Sequence, residues 1–420
     1  MDARSLYSDI AGAGAPLFFP DPPAPVTFNF DQGIAAEETF PIDELKALAC
    51  EVLDRDSGRA LEYISFDYDA ETDNYVYIPS YIELVLGYTG LREQVAKWIG
   101  SRNNRPDLSA NNIILTSGSV QAIALAINGF VNRGDGVLVE SATFPYAMRY
   151  MEMRGADIRS VELDDNGLVV ESLEHQLENM RRDGVRPKLL YTIPTFQLPT
   201  GVCTPLERRE RIIELAEKWD LVVLEDSIYA DLRFEGQPIP SLLELDTTGR
   251  VMQSHGFSKV LAPALRLGWI TAHPDMLSAL AAVRQDLGVS QWLARVMEEY
   301  VERGRLDPHI EMVNSVYRRK RDVAAKAVNE HCTPWVSFTL PKGGFYLWLQ
   351  IAPDVDWEKA SHDAAMNGVF FRPGEVFMGK EEGDRFIRLA YSHVRDHEIE
   401  RGIAALGDAI RGAARARSTT

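Results

Sequence analysis

KLLYTIPTFQLPTGVCTPLERRERIIELAEKWDLVVLED, residues 188–226, holds the organisation of most of the chain in one unit. Residues 188–194 and 221–226 are short apolar runs of the length of buried strands. Between them, residues 205–219 repeat apolar side chains at helical spacing. A strand, a helix and a second strand in this order predict a parallel pair joined by a helical crossover.

The rhythm extends on both sides. NIILTS (112–117), GVLVE (136–140), IRSVEL (158–163), RVMQSHGF (250–257) and LGWITAH (267–273) are further apolar runs, most of them separated by helical patterns such as VQAIALAINGFV (120–131). Together they predict an α/β domain with a mainly parallel sheet of seven strands. Ligands of such sheets bind outside the carboxyl ends of the strands. After about residue 300 the pattern becomes a long charged helix (308–330), WVSFTLPKGGFYLWLQI, a short helix, GVFFRPGEVF, DRFIRLAYS and a final helix (395–412), which predicts a smaller α+β domain. We divide the chain into an arm and helix (1–62) contributing to the small domain, a large domain (63–300) with a tyrosine-rich insertion (64–86), and a small domain (301–420). The aromatic residues of the arm (Phe18, Phe19, Phe28, Phe30) suggest that it packs onto the body, and its helix is predicted from Ile42 to about Leu53.

The 420 residues include 62 acidic and 44 basic side chains, a net charge of −18, which disfavours nucleic acid or an anionic membrane as partner. The start has no basic segment followed by an apolar one, and no later stretch approaches the length of a membrane span, so the expected location is the cytoplasm. Three separated cysteines, Cys50, Cys203 and Cys332, suggest neither a disulfide framework nor a metal site.

Four features carry candidate chemistry, and each admits a plain structural reading. TSGSVQA (116–122) is a small-residue turn into a helix, suited to a phosphate or to ordinary capping by serine. Asp226, at the end of LVVLED, can hold a ring nitrogen protonated with Tyr229 facing the same ligand, or the two can be a helix cap and a core residue. Lys259 and Arg266 in SHGFSKVLAPALRLGW (254–269) can supply a Schiff-base amine and a phosphate clamp, or be surface charges. Arg388 in DRFIRLAYS needs an anion, from a substrate carboxylate or from an internal salt bridge. Taken together the four describe one ligand pair, pyridoxal phosphate and an amino acid.

The motifs TSGSVQA, NRGDGVLVESATFP, YTIPTFQLPTG, LEDSIYADL, FSKVLAPALRLGW, PKGGFYLWL, VFFRPGEVF and FIRLAYS occur in the order found in class I/II aminotransferases of fold type I. The chain resembles that family from about residue 28 to 412, nearest the branch of kynurenine and 2-aminoadipate aminotransferases. The resemblance implies a pyridoxal 5'-phosphate enzyme that moves an amino group from an L-amino acid to a 2-oxo acid by a ping-pong route. In that likeness Lys259 is the Schiff-base and proton-shuttling lysine, Asp226 the partner of the ring nitrogen and Tyr229 the donor to the phenolic oxygen. Gly118, Ser119, Val120, Ser258 and Arg266 surround the phosphate, and Phe144 covers the ring. Arg388 holds the substrate carboxylate with Gly33 nearby, and no metal takes part. It further implies a homodimer with shared active sites, Tyr63 being the closest match to the tyrosine lent by a neighbour.

Three departures stand out. Leu198 occupies the place of an asparagine that donates to the cofactor's phenolic oxygen, and leucine has no donor. Gln197 compensates only if its loop turns it inward. Gly256 stands where a serine or threonine contacts phosphate, and the 64–86 segment is extra. Leu198 in particular raises an alternative, a pyridoxal-phosphate enzyme of specialised metabolism diverted to elimination or replacement, cyclisation or oxidative deamination.

Overall fold

The computed structural model describes Tyr7 and residues 22–63, 67–69, 74–76 and 84–414. Phe18, Phe19, most of the 64–86 insertion and the tail after Ala414 lie outside the described residues. Two short antiparallel strands, Asp67–Asp69 and Asn74–Val76, are the parts of the insertion described up to residue 76.

Seven strands form the central sheet: β1 (Ile113–Thr116), β2 (Gly136–Glu140), β3 (Asp157–Val161), β4 (Pro187–Thr192), β5 (Val222–Asp226), β6 (Val251–Gly256) and β7 (Gly268–Thr271). Each predicted apolar run contributes one of them. Their order is β1-β7-β6-β5-β4-β2-β3. Only β7 runs against its neighbours, β6 and β1. Strands β1, β2, β5, β6 and β7 are buried at every position, which explains why they are apolar runs and not alternating patterns.

The topology decides where the site can be. Asp226 ends β5 and pairs in register with Ser254 of β6, so the turn at residues 257–260 leaves the sheet on the same side. Two successive reversals, β6 to β7 and β7 to β1, bring β1 back into the direction of β5. The turn after Thr116 therefore opens at that same carboxyl end.

The second unit is an antiparallel sheet of β8 (Val336–Ser337), β9 (Tyr346–Ile351), β10 (Arg372–Pro373) and β11 (Phe386–Ala390), in the order β8-β9-β11-β10. Helices Leu306–His331 and Trp357–Met366 both pack on the last helix, Asp396–Ala413. The N-terminal arm is tied to this unit: Phe28–Asn29 pairs with Val369–Phe370, and Ala390 N–H donates to the carbonyl of Phe30 at 2.8 Å. Phe28 and Phe30 are buried there. The following helix, Ile42–Asp56, packs instead on Gln291–Glu302. Pinning the arm beside β11 sets the Asp31 carbonyl against Arg388 and Gly33 against Tyr346. Among the described residues no helix is long and apolar enough to cross a membrane.

Candidate active site

Lys259 lies in the turn after β6, and its Nζ donates to the carbonyl of Gly33 at 2.6 Å. The amine is 5.5 Å from the ring centre of Tyr229 and 5.9 Å from that of Phe345. Burial lowers its pKa from 10.5 to about 8; the charges of Arg388 and Arg266 push the same way, and Asp226 opposes them. A substantial neutral fraction is therefore present near neutral pH, the condition for a nucleophilic lysine.

Asp226 is buried at the end of β5. Its Oδ2 accepts from the Tyr191 hydroxyl at 2.9 Å and its Oδ1 from the Ile228 N–H at 3.3 Å. Burial raises its pKa, while those donors and the nearby charges of His255 and Lys259 lower it. Tyr191 was not singled out in the sequence. A tyrosine in an otherwise aliphatic strand reads as core, and its register opposite Leu224, two residues before Asp226, appears only when the strands pair.

The Tyr229 hydroxyl lies 2.6 Å from that of Tyr346, a second residue the sequence did not mark. Burial pushes both phenols above the ordinary 10, so both keep their protons at neutral pH. Tyr346 reaches this point because Gly33 has no side chain: a Cβ there would sit 1.8 Å from the Tyr346 hydroxyl.

The turn after β1 is built around Gly118, which precedes helix Ser119–Phe130 with φ of +85°. A Cβ on Gly118 would fall 2.8 Å from Arg266 Nη2, and that nitrogen donates to the Ser117 carbonyl at 2.8 Å. The glycine thus serves both the left-handed backbone and the close approach of a guanidinium to a helix start. Ser119 and Val120, which open that helix, and Ser258 in the turn after β6 are half-buried. Gly256 opposes Gly268 on β7, and a Cβ would meet Gly268 Cα at 3.0 Å and the Leu267 carbonyl at 3.1 Å. The hydroxyl missing at this position is thus matched by two strands packed too closely to admit one easily.

Arg388 is buried on β11, 4.4 Å from the ring centre of Tyr346 and 5.0 Å from that of Phe377. It donates to the carbonyl of Asp31. The Asp31 carboxylate instead pairs with Arg372 at 2.5 Å. Among the described residues no carboxylate pairs with Arg388, and its Nε is buried without a partner. The internal salt bridge open to Arg388 from sequence is not formed among the described residues.

Phe144 precedes helix Pro145–Arg154, and the neighbouring Thr143 N–H donates to the carbonyl of Phe377, tying this segment to the small unit. Leu198 is buried. Gln197 is fully engaged: Nε2 donates to Glu140 Oε2 at 3.0 Å and to the Ala142 carbonyl at 2.5 Å, while Oε1 accepts from Thr200 N–H and Oγ1. It does not turn inward to replace the missing donor. Tyr63, 74% exposed, lines a surface cleft with Leu287, Gly288 and Trp292 and does not join the group around Lys259 within one chain.

Residues 85–406 match the family described as aminotransferase class I and II. The chain belongs to that family. It is 33% identical to aromatic-amino-acid aminotransferase 1 of Thermococcus litoralis over 90% of this chain and 87% of the relative. Among solved structures it is similar to the kynurenine aminotransferase of Pyrococcus horikoshii, with a TM-score of 0.84 and 31% identity over 94% and 93% of the two chains. The α-aminoadipate aminotransferase of Thermus thermophilus, solved with N-(5'-phosphopyridoxyl)-L-leucine, gives 0.79 and 30% over 91% and 92%. The protein is a fold type I, pyridoxal-phosphate-dependent aminotransferase, and these relatives do not favour the diverted chemistry raised by Leu198.

The residues present fit that cofactor. A buried carboxylate whose pKa is raised by burial calls for a cation, which a protonated ring nitrogen supplies. The Gly118 corner leaves N–H groups and Arg266 for a phosphate.

Proposed function

We propose that Lys259, Asp226, Tyr229, Arg266 and Arg388 hold the cofactor and the amino acid together, and that aromatic L-amino acids are the donors in a ping-pong exchange with a 2-oxo acid. The observation that carries this reading is Arg388, a buried guanidinium that pairs with no carboxylate among the described residues and is suited to the α-carboxylate of a substrate. The preference for aromatic donors rests on relatives named for aromatic amino acids and kynurenine.

When bound, the cofactor supplies an aldehyde that can take up an amine and a conjugated ring that can store an electron pair. Lys259, largely desolvated, would be the amine that holds the aldehyde and the base that moves the substrate's α-proton. Asp226, oriented by Tyr191, keeps the ring nitrogen protonated. Tyr229 donates to the phenolic oxygen. Ser119, Val120 and Gly118 at the helix start, with Ser258 and Arg266, hold the phosphate, while Phe144 covers the ring and Leu198 gives it an apolar contact. Arg388 and the backbone at Gly33 orient the substrate carboxylate.

We take this group to lie between a large domain (63–300) and a small domain (301–420). A homodimer in which Tyr63 serves the neighbouring site accounts for its exposure and that of Leu61. The three free cysteines suit a reducing compartment, the cytoplasm. The test is a half-reaction without acceptor. An aromatic amino acid should yield one equivalent of 2-oxo acid per site and stop until a second oxo acid is added, and continued turnover without acceptor would refute the reading.

A further inference from the structure

We propose that Tyr346 is a positioning residue linking the guanidinium of Arg388 to the phenol of Tyr229, so that carboxylate binding at the one is felt at the other. The inference rests on the roles given above to Arg388, Tyr229 and Lys259.

Two hydroxyls 2.6 Å apart share one hydrogen bond, in which one donates and the other keeps its proton for a different acceptor. Arg388, 4.4 Å from the Tyr346 ring centre, draws charge toward itself and makes Tyr346 the better donor of the pair. Tyr346 then donates to Tyr229, and the proton of Tyr229 is free for the phenolic oxygen. A hydrogen bond received strengthens the one given, so the chain Arg388, Tyr346, Tyr229 sharpens a donor.

The surroundings leave few substitutes. Leu198 has no donor, and the amide of Gln197 is spent on Glu140, Ala142 and Thr200. The space for the Tyr346 hydroxyl exists only because position 33 is glycine. A carboxylate on Arg388 offsets its charge, weakens the pull on Tyr346 and loosens the donation by Tyr229. Substrate binding and the acidity of the chromophore are thereby coupled through one hydroxyl.

The experiment uses holoenzyme and follows the pH midpoint of its visible absorption. Donors to a phenolic oxygen stabilise its anion, so losing one raises the midpoint. Tyr346→Phe, which keeps the ring, should raise it by roughly half to one pH unit. In a Tyr229→Phe background the same change should add nothing, because Tyr346 acts through Tyr229. Saturating 3-phenylpropionate, a carboxylate without an amino group, should move the wild-type midpoint at least twice as far as that of Tyr346→Phe. An unmoved midpoint in Tyr346→Phe, an equal shift in both backgrounds, or an equal response to 3-phenylpropionate overturns the inference alone. Borohydride reduction that fails to fix the cofactor to Lys259 in wild type overturns the site reading, and this inference with it.

Discussion

Asp31 offers Arg388 its backbone carbonyl and keeps its carboxylate away. Arg372 takes the carboxylate, which leaves a buried guanidinium beside Tyr346 with no anion among the described residues. Replacing Arg388 by Gln should therefore cost substrate binding far more than cofactor binding. Truncating one member of a buried charge pair costs about 2–5 kcal/mol, so kcat/KM for amino acids should fall by roughly 30-fold to several thousandfold. The visible absorption should survive with its pH midpoint shifted, and amines without a carboxylate should lose far less than amino acids do. A parallel loss for such amines would remove Arg388 from its role.

Lys259 gives a prediction in pH. With its amine at about 8, half of it is neutral at pH 8, where an ordinary lysine is neutral to well under one part in a hundred. In the cofactor-free protein, the rate at which Lys259 is acetylated should rise with a midpoint near pH 8. Burial is the main cause and Arg388 the next, so Arg388→Gln should move that midpoint upward. A midpoint near 10.5 in wild type would contradict the enclosed amine.

Tyr191 matters through Asp226. Its hydroxyl stabilises the ionised carboxylate that burial disfavours, and Tyr191→Phe should raise the Asp226 pKa further. Only the ionised form can hold a ring nitrogen protonated, so the acid limb of the kcat profile should move to higher pH. A hydrogen bond to a charged group contributes about 1.5–3 kcal/mol, which predicts a fall of roughly 10- to 150-fold on that limb. The deficit should narrow as pH rises. A uniform loss across pH would mean that Tyr191 only packs.

The parts of the molecule legible in the sequence are those written locally. Seven apolar runs gave seven strands, and in β1, β2, β5, β6 and β7 burial at every position leaves no alternation to confuse with a helix. Lys259, Asp226, Arg266 and Arg388 stood out as charges in apolar stretches, and the structure brings them to one end of the sheet. Tyr191 and Tyr346 were hidden, since a tyrosine in a buried strand looks like core until its hydroxyl finds a partner. The pairing of Asp31 with Arg372 joins residues 341 apart, and the orientation of Gln197 depends on Glu140, 57 residues earlier. Neither distance leaves a spacing to read.

Glu140 makes the last case, one of stability. It is buried at the end of β2, with Oε1 accepting from Thr192 Oγ1 at 2.5 Å and from Ile193 N–H at 3.1 Å, and Oε2 from Gln197 at 3.0 Å. Burial outweighs these donors and raises its pKa from 4.5 to about 7, with Asp226 adding to the rise. Between those two values the unfolded chain has lost the proton that the folded one retains. The stability associated with this proton is therefore complete below pH 4.5 and lost as pH rises to about 7, an effect of about 3 kcal/mol. Glu140→Gln cannot titrate, and its amide nitrogen would face that of Gln197, so it should be less stable at pH 5. The informative measurement is the change in urea unfolding free energy between pH 5 and pH 8. Wild type should lose more than the variant over that interval, and equal losses would show that Glu140 ionises in the folded protein at its ordinary pH.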